Sequence, residues 1–274
     1  MFTASDGVKI DIRESFVHGS RSILILWPCM TGNTGMYRLP AAEFNNAGIS
    51  VIQFNPRGHA DSGGQFDLGT CINDLYEYLR SLDIGDVPLW LIGHSAGASA
   101  VLKFGTIHKP ARKYILVSPV LDSIASYRYL YENENQSEAN ILISSNTSNK
   151  EFMLSLLKDS RWMNREVWEK NLYREKIDAI SGEVLIGTLM EKLFIEGYNA
   201  FHDLKVHSAD TSILFPLSDN WFPKTLTLNL AAQYGIKTET INESRDHYFT
   251  GAWKFVWRRV LEEMSREKTE PTRR

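Results

Sequence analysis

Cysteine is scarce in this chain. Cys29 and Cys71 are the only two among 274 residues, too few for a disulfide framework and too far apart for a metal knuckle. Both are expected to be reduced thiols. Long apolar runs are missing as well: none approaches the roughly 20 residues that span a bilayer. The opening "MFTASDGVKIDIRES" has neither the basic start nor the apolar stretch of a secretory signal. A soluble, cytoplasmic protein with no transmembrane segment is expected. There is no excess of charge of one sign, since 30 basic and 33 acidic residues leave a net charge of −3. That balance excludes the electrostatic footprint of a nucleic-acid or anionic-membrane binder and leaves a small molecule as the expected partner. No phosphate loop, dinucleotide fingerprint or metal-ligating cluster occurs, so neither a cofactor nor a metal is implied.

What is present is enough apolar material, 43% of the residues, to bury one sizeable core. The runs "GVKIDIR" and "ESFVHG" alternate like an antiparallel hairpin at a sheet edge. The pattern then changes to continuous apolar runs, "SILILW", "GISVIQF", "PLWLIG" and "KYILVS", which suit strands buried on both faces of a parallel sheet. Helical segments separate them: a short one in "MYRLPAAEFNNAG", ended by Gly48, then Cys71 to Leu82 and Ser95 to His108. This alternation requires right-handed crossovers onto a mostly parallel sheet, an α/β architecture.

The rhythm stops after Asp122. Up to about His207 the chain is dominated by helix-forming segments carrying an apolar stripe from Phe152 to Phe194, with Trp162, Trp168 and Leu172 among its members. An inserted helical cap is expected, its stripe seating the cap on the core or partly lining an acyl pocket. Strand-like "TSILFPL", a helix near Leu226 to Tyr234, the run "KTETI" and a closing helix from about Trp253 to Met264 finish the sheet. The expected division is therefore core 1–121, cap 122–207, core 208–264 and a polar tail 265–274, "SREKTEPTRR".

The strongest chemical signal is Gly93-His94-Ser95-Ala96-Gly97, set directly after an apolar strand and directly before a helix. A serine on so sharp a turn is held in a strained conformation with its hydroxyl projecting from the sheet, and larger side chains at Gly93 or Gly97 would collide with adjacent elements. The helix it opens aims free N–H groups at the reacting centre. His94, the variable residue of the turn, should point away from the nucleophile and serve packing. With "GHSAG" as nucleophile elbow, the chain resembles α/β hydrolases of the serine esterase, lipase and thioesterase kind. Taken end to end it also resembles, more loosely, bacterial acyl-ACP thioesterases and acyl transferases.

The resemblance implies the chain order serine, acid, histidine. His247 in "SRDHYFTGAW" lies where that family places its base, and an imidazole can take the serine proton and return it to the leaving group. His202 and His207 lie in no suitable loop, and His108 reads as a helix C-terminal residue. For the acid, Asp219 after "ILFPLS" matches the family's strand-end pattern. Asp210 at the far end of that strand, Asp246 beside the histidine, or a glutamate are the alternatives. The backbone N–H of Ala96 is the first oxyanion donor, and the resemblance assigns the second, by position only, to Met30 in "PCMTG". Cys29 has no activating partner in sequence and reads as a buried loop residue. In "NPRGHADSGG", Asn55 and Ala60 replace two usual residues of a family loop. There Arg57 is expected to bind backbone carbonyls, Gly58 to supply a turn and His59 to serve as scaffold or pocket wall.

These expectations converge on hydrolysis of an acyl ester or thioester, free or carrier-bound, through an acyl-Ser95 intermediate. An acyl transferase using the same residues, and a catalytically silent receptor or scaffold on the same fold, are the alternatives.

Overall fold

The computed structural model describes residues 1–30, 32–82, 84–126, 129, 198–219 and 222–266. Most of the segment expected as a cap, the apolar stripe included, lies outside these residues, as does the tail from residue 267.

Nine strands are present among the described residues: β1 (Phe2–Thr3), β2 (Lys9–Ile10), β3 (Ile12–Ser15), β4 (Ser22–Trp27), β5 (Ile49–Phe54), β6 (Leu89–His94), β7 (Lys113–Val117), β8 (Thr211–Pro216) and β9 (Lys237–Ile241). The described α-helices are α1 (Ala41–Asn46), α2 (Leu68–Ser81), α3 (Ala96–Ile107), α4 (Phe201–Val206), α5 (Lys224–Tyr234) and α6 (Trp253–Arg266). Seven strands form one sheet in the order β3-β5-β4-β6-β7-β8-β9. All neighbours are parallel except the edge pair β3 and β5.

Burial on two faces explains the continuous apolar runs. Along β4, Ile23, Ile25 and Trp27 enter one core cluster while Leu24 and Leu26 enter the other; on β6, Leu89 and Leu91 alternate with Trp90 and Ile92 in the same way. The first cluster is closed by α2 and α3, through Cys71, Ile72, Leu75, Ala98 and Val101. The second is closed by α1 and α6, through Phe44, Trp253, Val256, Trp257 and Val260. Each face therefore needs its own apolar half of every strand, and strands with period-two polarity would leave one face wet.

The N-terminal hairpin departs from the alternation pattern. Lys9–Ile10 pairs with Phe2–Thr3 as a separate two-stranded ribbon, and Ile12–Ser15, which joins the end of the first run to the start of the second, pairs with β5. A turn at Gly7, with φ of 84°, closes the ribbon. Helix α2 begins three residues earlier than its apolar spacing requires because the Asp67 carboxylate accepts the Thr70 N–H at 2.9 Å and caps it.

Arg57 corrects a second expectation. Its guanidinium binds carboxylates, not backbone carbonyls: Nε and Nη2 donate to both oxygens of Asp74 at 2.7 Å, and Nη1 and Nη2 donate to Asp6. Asp74, on α2, is buried, so this fork ties the loop after β5 to the helix that follows it. Removing one partner of a buried pair leaves an uncompensated charge. Asp74→Ala is expected to lower the unfolding free energy by about 3 kcal/mol, the low end for such pairs because Asp6 remains. Urea denaturation at neutral pH checks this, and a loss below about 1 kcal/mol, the level of an exposed pair, contradicts it.

Candidate active site

Ser95 sits between the end of β6 and the start of α3 with φ of 56° and ψ of −122°, outside the regions a non-glycine residue occupies without strain. The turn is held from both sides. The Ser95 N–H donates to the Val117 carbonyl at 3.0 Å, and the Ser95 carbonyl accepts from Val120 and Ala98. A side chain at Gly93 would place its first carbon 2.3 Å from the Gly97 carbonyl oxygen, and one at Gly97 would place it 2.3 Å from that of Pro28. Both expected collisions are therefore present. The second shows that α3 packs directly on the backbone leaving β4.

His247 and Asp219 come together at the same carboxyl edge of the sheet, in the loops that follow β9 and β8. The His247 Nδ1 lies 3.0 Å from each Asp219 carboxylate oxygen, and both side chains are nearly inaccessible, at 1% and 4%. A carboxylate accepts only, so Nδ1 carries the proton and Nε2 is presented as the basic nitrogen. The loop around His247 is braced by Asp246, whose Oδ1 accepts from the Tyr248 and Thr250 N–H groups, and by the Trp253 indole, which donates to the Tyr248 carbonyl at 2.8 Å. Asp246 is thus occupied with local backbone. Asp210 lies at the other end of β8. His207 meets Thr106 at 3.0 Å and packs on Tyr114; His108 stacks on Tyr76 and meets Asn73 at 2.8 Å.

His94 is fully buried, its ring centroid 5.1 Å from that of His247. Its contacts go further than packing: Nδ1 is 3.0 Å from the Tyr37 hydroxyl and Nε2 is 2.8 Å from the His247 carbonyl oxygen. Burial, followed by the charge of His247, pushes the His94 imidazole down to about 3, so it is neutral.

Met30 and Ala96 line one narrow cavity together with Trp27, Cys29, His59, Phe66, Leu68 and Tyr198. His59 is a wall of that cavity, its Nδ1 3.0 Å from the Arg57 carbonyl oxygen, and burial pushes its imidazole down to about 4. Beneath the loop after β4, Asn55 replaces the family's usual aspartate with a clear consequence. Its Oδ1 accepts the Thr34 N–H at 2.8 Å and its Nδ2 donates to the buried Asp11 carboxylate at 2.7 Å. An aspartate at 55 would lose that donor and face a second carboxylate. Ala60 keeps a left-handed φ of 51° where the usual loop has glycine. Both cysteines are buried free thiols, and burial raises that of Cys71 to about 12.

Tyr37, Asp11 and Asp6 are the contributors that sequence reading missed. Each is a lone polar residue in a segment without a motif, and its partner lies 57, 44 or 51 positions away. No local pattern signals them.

A seven-stranded, mostly parallel sheet flanked by helices, with a strained serine at the first turn after a central strand, defines an α/β hydrolase. The chain belongs to the serine aminopeptidase S33 family, whose sequence profile matches residues 18–193, more than half of its length. A search of curated proteins finds no match. Among solved structures the chain is similar to the esterase EaEST from Exiguobacterium antarcticum, at 18% identity and a TM-score of 0.67, covering 96% of this chain and 98% of that one. A carboxylesterase structure from the thaumarchaeon Nitrososphaera gargenis is similar at 17% identity and a TM-score of 0.67, covering 97% of each chain. A thermophilic esterase from Thermogutta terrifontis is similar at 14% identity and a TM-score of 0.67, covering 96% of each. Among the described residues no helix is long and apolar enough to cross a membrane.

Two of the buried histidines of the site, His59 and His94, make stability depend on pH. An exposed imidazole titrates near about 6.5, whereas His59 and His94 stay neutral in the fold down to about 4 and about 3. Below about pH 6.5 the unfolded chain therefore binds protons that the fold excludes. The contribution is complete above that pH and falls by up to about 1.4 kcal/mol per unit for each histidine towards the folded values. Urea titrations are expected to show unfolding free energy declining from about pH 7 to about pH 5, less steeply in His59→Gln. Equal slopes for the two proteins would contradict it.

Proposed function

We propose that this chain is a serine hydrolase that cleaves an acyl ester or thioester through a covalent acyl-Ser95 intermediate. The observation that carries the reading is the buried His247–Asp219 pair, 3.0 Å from Nδ1 to each oxygen, at the same sheet edge as a serine held at φ of 56°. In this reading His247 Nε2 takes the Ser95 proton as Oγ attacks the acyl carbon. Asp219 holds the tautomer and stabilises the imidazolium, and the proton then passes to the leaving alkoxide or thiolate. The N–H of Ala96, the first residue of α3, faces the developing oxyanion with the favourable end of the helix behind it. The Met30 N–H is the second donor. Water, activated by the same imidazole, releases the acid and restores Ser95.

The apolar side chains beside the elbow, Trp27, Met30, Phe66, Leu68 and Tyr198, favour an uncharged acyl group over a charged one. The family's name raises aminopeptidase action as a second reading. That activity needs a carboxylate to hold the substrate ammonium. Acyl transfer would use the same steps with another acceptor in place of water.

A fluorophosphonate probe is expected to label the wild type and not Ser95→Ala; an unlabelled wild type overturns the reading in favour of a silent receptor. p-Nitrophenyl esters and acyl thioesters of graded length, free and carrier-bound, then assign the substrate class. His247→Ala is expected to lower kcat by at least about three orders of magnitude with the fold intact. Asp219→Asn is expected to lower it by about four orders at little change in KM. Activity near wild type in either variant contradicts the assigned role.

A further inference from the structure

Three hydrogen bonds run beneath the elbow, and their donor directions are fixed by chemistry. The His247 carbonyl oxygen can only accept, so His94 Nε2, 2.8 Å away, carries the proton. His94 is neutral, so its Nδ1 is an acceptor, and the Tyr37 hydroxyl, 3.0 Å away, must donate to it. That leaves the Tyr37 oxygen a lone pair for the Cys29 N–H, which donates at 2.6 Å. The chain Cys29 N–H to Tyr37 Oη–H to His94 Nδ1, then His94 Nε2–H to the His247 carbonyl, therefore points one way throughout, and aligned bonds of this kind polarise one another.

Its two ends are the residue next to Met30 and the backbone of the catalytic-base candidate. Its middle is the residue next to Ser95. The packing leaves it little freedom, since Tyr37 and His94 are both fully buried. The Trp253 ring lies against both, 4.4 Å and 5.3 Å between centroids, and the Trp257 indole donates to the Tyr37 carbonyl at 2.7 Å.

We infer that Tyr37 and His94 are positioning residues that set the oxyanion loop and the His247 imidazole in register with one another through this buried chain. The inference rests on the reading of Ser95 and His247 as nucleophile and base. Apolar packing alone would seat the two loops independently. A directional chain makes a displacement of one end cost hydrogen bonds at the other, so donor and base stay matched during both acylation and deacylation. A misplacement of about 1 Å in such a constellation can cost about a hundredfold in rate.

The test uses the full chain with p-nitrophenyl acetate, and fluorophosphonate inactivation as a second readout. His94→Leu is expected to lower kcat about tenfold to a hundredfold with KM within about twofold, and to slow inactivation by a similar factor. His94→Gln, whose amide can still donate to the His247 carbonyl, is expected to recover a substantial part of both rates. Tyr37→Phe removes one oxygen from an otherwise unchanged ring and is expected to lower kcat several-fold; it carries the test by itself should His94→Leu fail to fold. In a single chain the effects overlap, so the double variant Tyr37→Phe/His94→Leu should lose little more than the worse single variant. A folded His94→Leu or Tyr37→Phe with wild-type kcat and inactivation rate, a loss confined to KM, or fully multiplicative effects in the double variant would overturn the inference. Wild-type protein that the probe does not label defeats the Ser95 reading instead, so the two failures are separable.

Discussion

Everything at the carboxyl edge depends on how closely the elbow helix approaches the sheet. α3 meets the backbone leaving β4 at Gly97, where even one methyl group would intrude on the Pro28 carbonyl, and it turns off β6 at Gly93, where a methyl would strike Gly97 itself. That contact forces Ser95 into its left-handed turn and brings the loop carrying Met30 against the helix N-terminus. Ser95 and Met30 are thus brought to the same end of α3 for the same steric reason. The strain is sustained by the hydrogen bonds of Ser95 to β7 and to the loop after it, and by a sheet whose central strands are buried on both faces.

Around this apolar frame the polar groups are confined to a few connected sets. Arg57 is shared between Asp6 and Asp74; Asn55 bridges Asp11 and Thr34; Tyr37 and His94 join Cys29 to His247. Each set fastens a loop at the carboxyl edge to residues distant in sequence. Burying such groups unpaired would cost free energy, so these bonds make alternative loop positions unfavourable. Loops at the carboxyl edge are thereby fastened without regular structure of their own.

The parts of the molecule legible in sequence are those whose cause is local. Period and apolar continuity mark β4 to β8 because each strand must feed two cores, and the elbow is marked because its steric demand falls on residues within two positions of Ser95. The pairing of Asp219 with His247 is suggested in sequence only by chain order and loop context, which the family resemblance supplies. What could not be read is pairing at long range. The Arg57 fork depends on where Asp6 and α2 lie in space, and the ribbon of β1 and β2 depends on an edge that "ESFVHG" could equally have filled. Asp67 shows the intermediate case: its cap is a local signal, but it lies outside the apolar period that marks the rest of α2.

Asn55 and His94 show how this chain departs from its family's pattern without loosening the site. At 55 the amide provides a donor and an acceptor where a carboxylate provides acceptors only, and the charge has moved one strand away to Asp11, which receives the donor. At 94 a side chain with a donor on one edge and an acceptor on the other is what a one-way chain between two backbone groups requires. A residue with only one function would end the chain beneath the elbow and leave a buried partner unsatisfied. The variable position of the elbow is therefore constrained here by the two loops it touches rather than by the serine it precedes.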